Sequence, residues 1–220
     1  MSYDWSADYI KASSKDCTLE DFLELKNKTH SDLSVLLAII QNSKCPEYIL
    51  YSLLDYNDSW IQEKVLDKKN HVLLFSQKAL KSKFSKIRKI ALQNPDLESK
   101  DVMLCAEDED FFTQYQAMMH RNLPIEGFWI GLNSDEHEIR NVVLMNYSCP
   151  LRILEHGFLH EDWSTRMQAV YHRNVSLEML EKGLKDKDRQ VRETAKMQLE
   201  IRNKTDSSLI YNSIYARPQL

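Results

Sequence analysis

The chain has 220 residues, of which 43% are hydrophobic, and a formal net charge of −4. Glycine (4) and proline (5) are scarce, and this composition favours α-helices with enough apolar side chains for a hydrophobic core. No apolar run approaches the roughly 20 residues of a membrane-spanning helix, and the small net charge does not indicate a nucleic-acid or membrane partner.

Residues 1–17 are predicted to form an N-terminal extension ahead of the regular part of the sequence. They contain no basic stretch followed by an apolar stretch, so we do not expect a secretory signal. The cysteines are far apart and form no CxxC pair: Cys17, Cys45, Cys105 and Cys149. We expect reduced thiols that pack as small hydrophobic side chains in a cytoplasmic protein, with a metal site or a disulfide framework as the alternative. We predict no cofactor.

A regular spacing of asparagines begins at residue 42. Six asparagines end apolar helical segments, and the intervals between them are alternately longer and shorter: Asn42, Asn70, Asn94, Asn122, Asn146 and Asn174. Twelve positions before each of the last five, and at one further position of the same series, the chain carries Asp or Ser: Asp58, Ser82, Asp110, Ser134, Asp162 and Asp186. These are favoured helix N-caps, because their side-chain oxygens accept hydrogen bonds from N–H groups of the first turn. Each interval therefore predicts one helix.

A second helix is predicted after each asparagine. Proline suits the first position of a helix, since it has no N–H group to leave unpaired there, and it begins three of these segments: Pro46, Pro124 and Pro150. Ala79, Gly131 and Gly183 occupy one equivalent position, which predicts a close approach between helices. Neither short helix can bury its apolar stripe alone, so neighbouring pairs must stack. The sequence predicts an all-α fold, a right-handed α-solenoid of about seven short two-helix repeats over residues 18–203.

Residues 204–220 fall outside the repeat and are predicted to form a C-terminal tail. Apolar and aromatic residues at positions 210, 211, 214 and 215 would share one face of a helix. One hypothesis is that the tail covers the exposed apolar face of the last repeat, because the end of a solenoid needs a cap. The alternative is a free peptide that docks on a partner.

Two segments, "IRKIALQNPDLESKDV" (87–102) and "IRNVVLMNYSCPLRIL" (139–154), resemble the repeats of the leucine-rich repeat variant and HEAT-like families. The resemblance extends over nearly the whole chain at the level of the repeat pattern. It implies an α-solenoid whose surface binds a partner without catalysis. Such solenoids are used for many purposes, so the resemblance is specific for the fold and not for the function.

The segments "QAMMHRN" (116–122) and "QAVYHRN" (168–174) carry the same His-Arg-Asn triplet. Lys68 and Lys69 occupy the equivalent places before Asn70, and cations in a last helical turn complement the helix dipole. The triplet is therefore predicted to mark the end of a helix. The chain also has no Gly-rich phosphate loop, HExxH or GxSxG motif, so we predict no catalytic residues, no metal site and no enzymatic activity.

Basic residues supply the candidate binding positions. Equivalent positions of a solenoid align, so two rows of basic residues are expected. The first row holds Lys69, Arg121 and Arg173, and the second holds Arg88, Arg140 and Arg192, with Lys64 at the same offset. In HEAT-like proteins the second arginine often pairs with an Asp of a neighbouring repeat, which is the alternative to a free basic strip. The segment "KALKSKFSKIRK" (78–89) adds six basic residues and no acidic residue. The candidate binding residues are Lys81, Lys83, Lys86, Arg88, Arg121, Arg140, Arg173 and Arg192.

The leading functional hypothesis is a monomeric, non-enzymatic scaffold that binds a protein partner through its repeat surface, as an adaptor, inhibitor or immunity-type protein. The alternative is a nucleic-acid-binding or DNA-repair HEAT-like protein, with a HEAT-like DNA glycosylase as its enzymatic form. That alternative would use the basic strip on phosphates and Trp60 or Trp163 to stack on a base, whereas core packing is the other expectation for the tryptophans. The small net charge favours the protein partner.

Overall fold

The computed structural model describes residues 6–28, 32–69 and 72–215, and from residue 205 onward it describes the backbone alone. Over these ranges it contains fifteen α-helices and no β-strand, which confirms the predicted all-α class. None of the helices within the described ranges combines the length and the apolar character that a membrane crossing requires. The helices belong to two compact units, unit 1 from Met1 to Asn122 and unit 2 from Leu123 to Leu220.

In unit 1, the odd-numbered helices from α3 onward pack side by side in chain order, α3 on α5, α5 on α7 and α7 on α9. Their inward faces bury Leu36, Ile39, Ile61 and Ile87. The predicted N-terminal extension contains α1, which packs against α2 and α3 and buries Ala12. The helices of unit 1 are α1 (Ala7–Ser13), α2 (Leu19–Lys28), α3 (Leu33–Gln41), α4 (Glu47–Leu53), α5 (Ser59–Lys69), α6 (Leu73–Ala79), α7 (Ser85–Ala91), α8 (Ser99–Met103) and α9 (Phe111–Met119).

In unit 2, α11 packs on α13 and α13 on α15, while α10, α12 and α14 each pack against the helix that follows them. A Cβ atom on Gly183 would lie 2.9 Å from the Cβ of Ala195, which confirms the close helix approach predicted at this glycine. Gly157 has the same role against Leu144, at 2.9 Å. The helices of unit 2 are α10 (Ile125–Leu132), α11 (His137–Met145), α12 (Leu151–Phe158), α13 (Trp163–Tyr171), α14 (Leu177–Gly183) and α15 (Arg189–Tyr215).

The predicted C-terminal tail begins inside a helix, because α15 continues past residue 204 to Tyr215. The side chains from residue 205 and all of residues 216–220 lie outside the described part of the chain. Whether the tail covers the last repeat or docks on a partner therefore stays a prediction.

Three of the six predicted N-caps are confirmed. The side-chain oxygen of Asp110 accepts a hydrogen bond from the Thr113 N–H at 2.9 Å, and Asp58 and Asp162 cap α5 and α13 in the same manner. The prediction is wrong for the other three positions, because the helices that follow them begin at Ser85, His137 and Arg189. There the side chain accepts from the N–H group two residues later and forms the turn that precedes the helix: Ser82, Ser134 and Asp186. A turn and a cap both favour short polar residues, so the sequence alone does not separate them.

With these corrections the helix starts recur every 26 residues, which is also the separation of His120 and Asn94. The residues that precede the odd-numbered helices from α3 to α13 follow this interval: Asp32, Asp58, Phe84, Asp110, Glu136 and Asp162. The residues that precede the second helices follow it as well: Pro46, Val72, Glu98, Pro124, Pro150 and Ser176. The intervals between asparagines alternate in length because the polar residue falls on either of two nearby positions relative to successive helix starts.

Candidate functional site

Buried asparagine and histidine side chains take equivalent places after α3, α7, α9, α11 and α13. The Oδ1 atoms of Asn42, Asn94 and Asn146 each accept from the backbone N–H two residues later at 2.9 Å. The Nδ1 atoms of His120 and His172 do the same at 3.1 and 3.0 Å. An imidazole nitrogen therefore substitutes for an amide oxygen as the acceptor that closes the turn. Asn70, which was predicted to end a helix of the same series, lies outside the described residues.

Each of these histidines also donates a hydrogen bond to a backbone carbonyl group 26 residues earlier. His120 Nε2 lies 3.0 Å from the carbonyl oxygen of Asn94, and His172 Nε2 lies 3.1 Å from that of Asn146. Because a carbonyl oxygen only accepts, Nε2 carries the proton, and because Nδ1 accepts, the ring is neutral. The prediction of cations in a last helical turn is wrong here, since both histidines are buried C-cap residues. With both nitrogens engaged, neither ring is a free catalytic base.

The equivalence of Lys68 with these histidines is confirmed by its hydrogen bonds. Lys68 Nζ donates to the carbonyl oxygen of Asn42 at 2.7 Å, 26 residues earlier, and also to that of Ile40. Burial lowers the pKa of Lys68. Burial likewise lowers the pKa of His172, and so does the nearby Arg173, although the hydrogen bond to Asn146 acts in the opposite direction.

Two arginines of the second predicted row are engaged in ion pairs. Arg88 donates through Nε and NH2 to the two carboxylate oxygens of Asp108, at 2.6 Å each. Arg140 NH2 lies 3.3 Å from Asp162 Oδ2. Both arginines therefore pair with an aspartate, which was the alternative to a free basic strip. Arg192 donates to the backbone carbonyl oxygens of Asp186 and Lys187 at 2.7 and 3.0 Å.

Arg166 belongs to the same set and was missed by the sequence analysis. It makes a two-point contact with Asp186 at 2.8 and 3.0 Å, and the two side chains are only 6% and 7% exposed. Residue 166 lies 26 positions after Arg140, so the interval of the helix starts would have identified this arginine. Six positions before Asn174 the chain carries Gln168, so the asparagine spacing did not point to Arg166.

Acidic side chains neutralise the charges of most basic residues in segment 78–89. Lys78, Lys86 and Arg88 contact carboxylates at 2.6 Å, and Lys89 does so at 3.8 Å. Lys81 and Lys83 form no ion pair with a described residue, and Lys83 lies 5.1 Å from the centre of the Phe84 ring. This segment therefore presents fewer unpaired cations than its sequence indicates.

Arg121 and Arg173, of the first predicted row, have different surroundings. In unit 1, Arg121 Nε donates to the carbonyl oxygen of Pro95 at 3.0 Å, and NH2 lies 3.6 Å from Asp96. In unit 2, the Arg173 guanidinium lies 5.3 Å from the centre of the Tyr147 ring. No carboxylate among the side chains that the structure describes forms an ion pair with Arg173.

Arg173 borders a cleft of about 290 Å³ at the ends of α11 and α13, beside α15. This unit-2 cleft exposes aromatic surface, since Tyr147 is 73% and Tyr171 is 53% exposed. Gln198 Nε2 donates to the carbonyl oxygen of Tyr171 at 3.2 Å. The other side chains that line the cleft include Met145, Gln168 and the neutral His172. The lining offers ring faces, a thioether, amides and one cation, which together suit binding of another molecule.

The tryptophans do not all pack in a core. Trp60 and Trp163 stand at the starts of α5 and α13 and are 39% and 44% exposed, so the expectation of core packing is wrong for both. Trp129 instead contacts His156 edge to face, with ring centres 4.7 Å apart. None of the three lines the unit-2 cleft.

The four cysteines are buried and unpaired, as expected for small hydrophobic side chains. Burial raises the pKa of Cys45 to about 11 and those of Cys105 and Cys149 to about 12. The thiolate, which is the nucleophilic form, is therefore scarce at neutral pH. The described part of the chain holds no cluster of three or more potential metal ligands.

Comparison of the sequence with protein-family models found no match, and comparison with curated proteins found no significant similarity.

Proposed function

We propose that the chain is a non-enzymatic α-solenoid scaffold, of the HEAT-like or leucine-rich repeat variant type, that binds a protein partner. About seven two-helix repeats would account for the even spacing of the helix starts. The recurrent hydrogen bonds from Lys68, His120 and His172 to the carbonyl groups of the preceding interval support repeats that stack in one manner. An adaptor, an inhibitor or an immunity-type protein fits this description.

The observation that carries the proposal is the composition of the unit-2 cleft. Tyrosine, methionine and arginine are enriched in the energetically important centres of protein interfaces, and here they line one concave surface. The exposure of large apolar side chains also recurs at the interval of the helix starts, at Met119, Met145, Tyr171 and Met197. Met119 belongs to unit 1 and the other three to unit 2. Within unit 2, covering the exposed side chains of Met145, Tyr171 and Met197 by a partner would be favourable.

A nucleic-acid partner has less support. Arg88 and Arg140 are engaged by carboxylates, and Lys86 contacts Glu63 at 2.6 Å. Binding to a nucleic-acid backbone depends on several simultaneous phosphate contacts, whereas the described lining of the cleft has a single charged side chain, Arg173.

We further propose that the protein is monomeric and acts in the cytoplasm. Four buried thiols without a disulfide are typical of a reducing compartment.

Affinity capture from the source cell, followed by mass spectrometry, tests the proposal. The wild type is compared with the double variant Tyr147→Ala/Tyr171→Ala, and Tyr48→Ala is the control, because Tyr48 has a similar exposure of 54% but lies in unit 1. We expect a set of proteins that the wild type and the control retain and the double variant loses. Recovery of nucleic acid alone, or turnover of a small substrate by the purified protein, would contradict the proposal.

A further inference from the structure

The described side chains that line the unit-2 cleft carry one positive charge and no negative charge. Arg173 is the one charged side chain among the described residues that line it, and no described carboxylate pairs with its guanidinium group. His172 beneath it is neutral, because Nδ1 accepts from the Asn174 N–H and Nε2 donates to Asn146. The group that complements this cleft is therefore an anion.

The position of Arg173 favours a planar, two-oxygen anion. Contact with the Tyr147 ring, at 5.3 Å, restrains the guanidinium group. A guanidinium presents parallel N–H groups that match the two oxygens of a carboxylate. The Gln168 side chain makes no hydrogen bond with a described residue and lines the same cleft, so its amide is available to a second polar group of the occupant.

The remainder of the cleft is apolar. Met145, Tyr147 and Tyr171 expose a thioether and two aromatic rings beside the arginine. A volume of about 290 Å³ is near the lower limit for ligand pockets and suits one or two side chains rather than a larger ligand. An occupant that satisfies both the cation and the apolar surface carries a carboxylate next to an apolar or aromatic group.

We propose that the unit-2 cleft binds an acidic peptide segment of the partner protein. In this arrangement an Asp or Glu carboxylate accepts hydrogen bonds from Arg173, and a neighbouring apolar or aromatic side chain packs against Met145, Tyr147 and Tyr171. The inference rests on the proposed function, since it names the chemistry of the segment that a protein partner presents. A single-stranded nucleic acid also has an anionic backbone and stacking bases, but one arginine supplies one phosphate contact, and the chain has a net charge of −4.

Selection from a displayed library of short random peptides tests this chemistry. The wild-type protein is the bait, and Arg173→Gln is the counter-selection bait. We expect enriched sequences in which Asp or Glu stands beside an apolar or aromatic residue. Failure to enrich acidic residues, or equal enrichment on Arg173→Gln, would overturn the proposal.

Fluorescence anisotropy with the most enriched peptide then measures affinity. Replacing its acidic residues by their amides, or using Arg173→Gln or Tyr147→Ala, should weaken binding about tenfold or more, because a charge-assisted hydrogen bond is lost or the ring surface removed. Arg121→Gln is the matched control, because it alters the same motif in unit 1, and it should bind as the wild type does. If an oligonucleotide of thymidines binds the cleft more tightly than the peptide, the occupant is nucleic acid and the proposal is wrong.

The two proposals fail in different ways. If the wild type and Arg173→Gln capture the same proteins from the cell while neither selects acidic peptides, protein binding stands and the acidic-peptide inference is overturned. If the wild type captures no protein at all, the proposed function itself is contradicted. Arg173→Gln and Tyr147→Ala alter exposed side chains. Circular dichroism of each variant confirms that it folds.

Discussion

The segments QAMMHRN in unit 1 and QAVYHRN in unit 2 have the same backbone arrangement but different surroundings. In both, a buried histidine closes the turn and donates to the carbonyl oxygen 26 residues earlier. The arginine that follows lies near Pro95 and Asp96 in unit 1 and over Tyr147 in unit 2, where Ser148 occupies the place equivalent to Asp96. The repeated motif therefore forms the scaffold, and the residues of the preceding turn decide whether its arginine is offset by an acid or lines a cleft.

The largest expected effect concerns the buried ion pairs, which both units contain. Arg166→Met should lower the free energy of unfolding by about 3–5 kcal/mol, because it leaves the buried Asp186 without its partner. Arg88→Met in unit 1 should behave similarly, since Asp108 is equally buried. Urea titrations measure both. The double variant Arg166→Met/Asp186→Asn should recover part of the loss, and a loss equal to the sum of the single changes would contradict a direct pairing.

Replacement of the buried histidine should have the next largest effect. His172→Ala leaves the Asn174 N–H without its acceptor and removes the histidine donor from the Asn146 carbonyl oxygen, which keeps the hydrogen bond from the Cys149 N–H. This change should cost about 1–3 kcal/mol in unfolding free energy. His172→Asn should cost less, because asparagine already closes the equivalent turns after Asn94 and Asn146. Chemical denaturation of the two variants, side by side, measures the difference. Equal losses would show that the acceptor position is not what stabilises this turn.

The unfolding free energy should also depend on pH through His172. Its folded pKa is lowered from 6.5, chiefly by burial, so the unfolded state binds the proton more readily. This contribution to stability is fully present above about pH 6.5 and is lost as the pH falls through the lower, folded value. Urea midpoints between pH 7.5 and pH 5 should therefore fall more steeply for the wild type than for His172→Asn. Identical slopes for the two proteins would count against this assignment.

Smaller effects are expected at the ends of the helices. Asp110→Ala should lower the unfolding free energy by about 1 kcal/mol, because the hydrogen bond to the Thr113 N–H is lost. The same change at Ser134 should have a smaller effect, since its hydroxyl accepts from the exposed turn ahead of α11 rather than from the helix. Thermal unfolding of the two variants separates the cap from the turn. A greater loss at Ser134 would be incompatible with the corrected helix starts.

The exchange of one residue between the two motifs should change stability least, by less than about 1 kcal/mol, because surface ion pairs contribute little. Ser148→Asp in unit 2 copies the acid that lies near Arg121 and should offset the charge of Arg173. Asp96→Ser in unit 1 is the reciprocal control and should leave the unit-2 cleft unchanged. Affinity for the selected acidic peptide should fall with Ser148→Asp alone. A variant that retains the affinity would argue against the arginine as the anion contact.

Local features were predictable from the sequence. The all-α class, the helices and the caps at Asp58, Asp110 and Asp162 follow from interactions among residues within a few positions of one another, which a single sequence displays directly. The even spacing of the helix starts was partly hidden, because Asp and Ser favour turns as well as caps and so marked two different positions in successive intervals.

The partners of the long side chains were decided by the tertiary structure. Arg88 and Asp108 are 20 residues apart, and whether they meet depends on how α7 packs beside the turn before α9. The same holds for Arg173, whose sequence neighbours match those of Arg121, while its contact Tyr147 follows α11. The sequence determined which side chains close turns and end helices, since those bonds are local. Only helix packing determined which charges are buried against a carboxylate and which one lines a cleft, because it brings together residues that are distant along the chain.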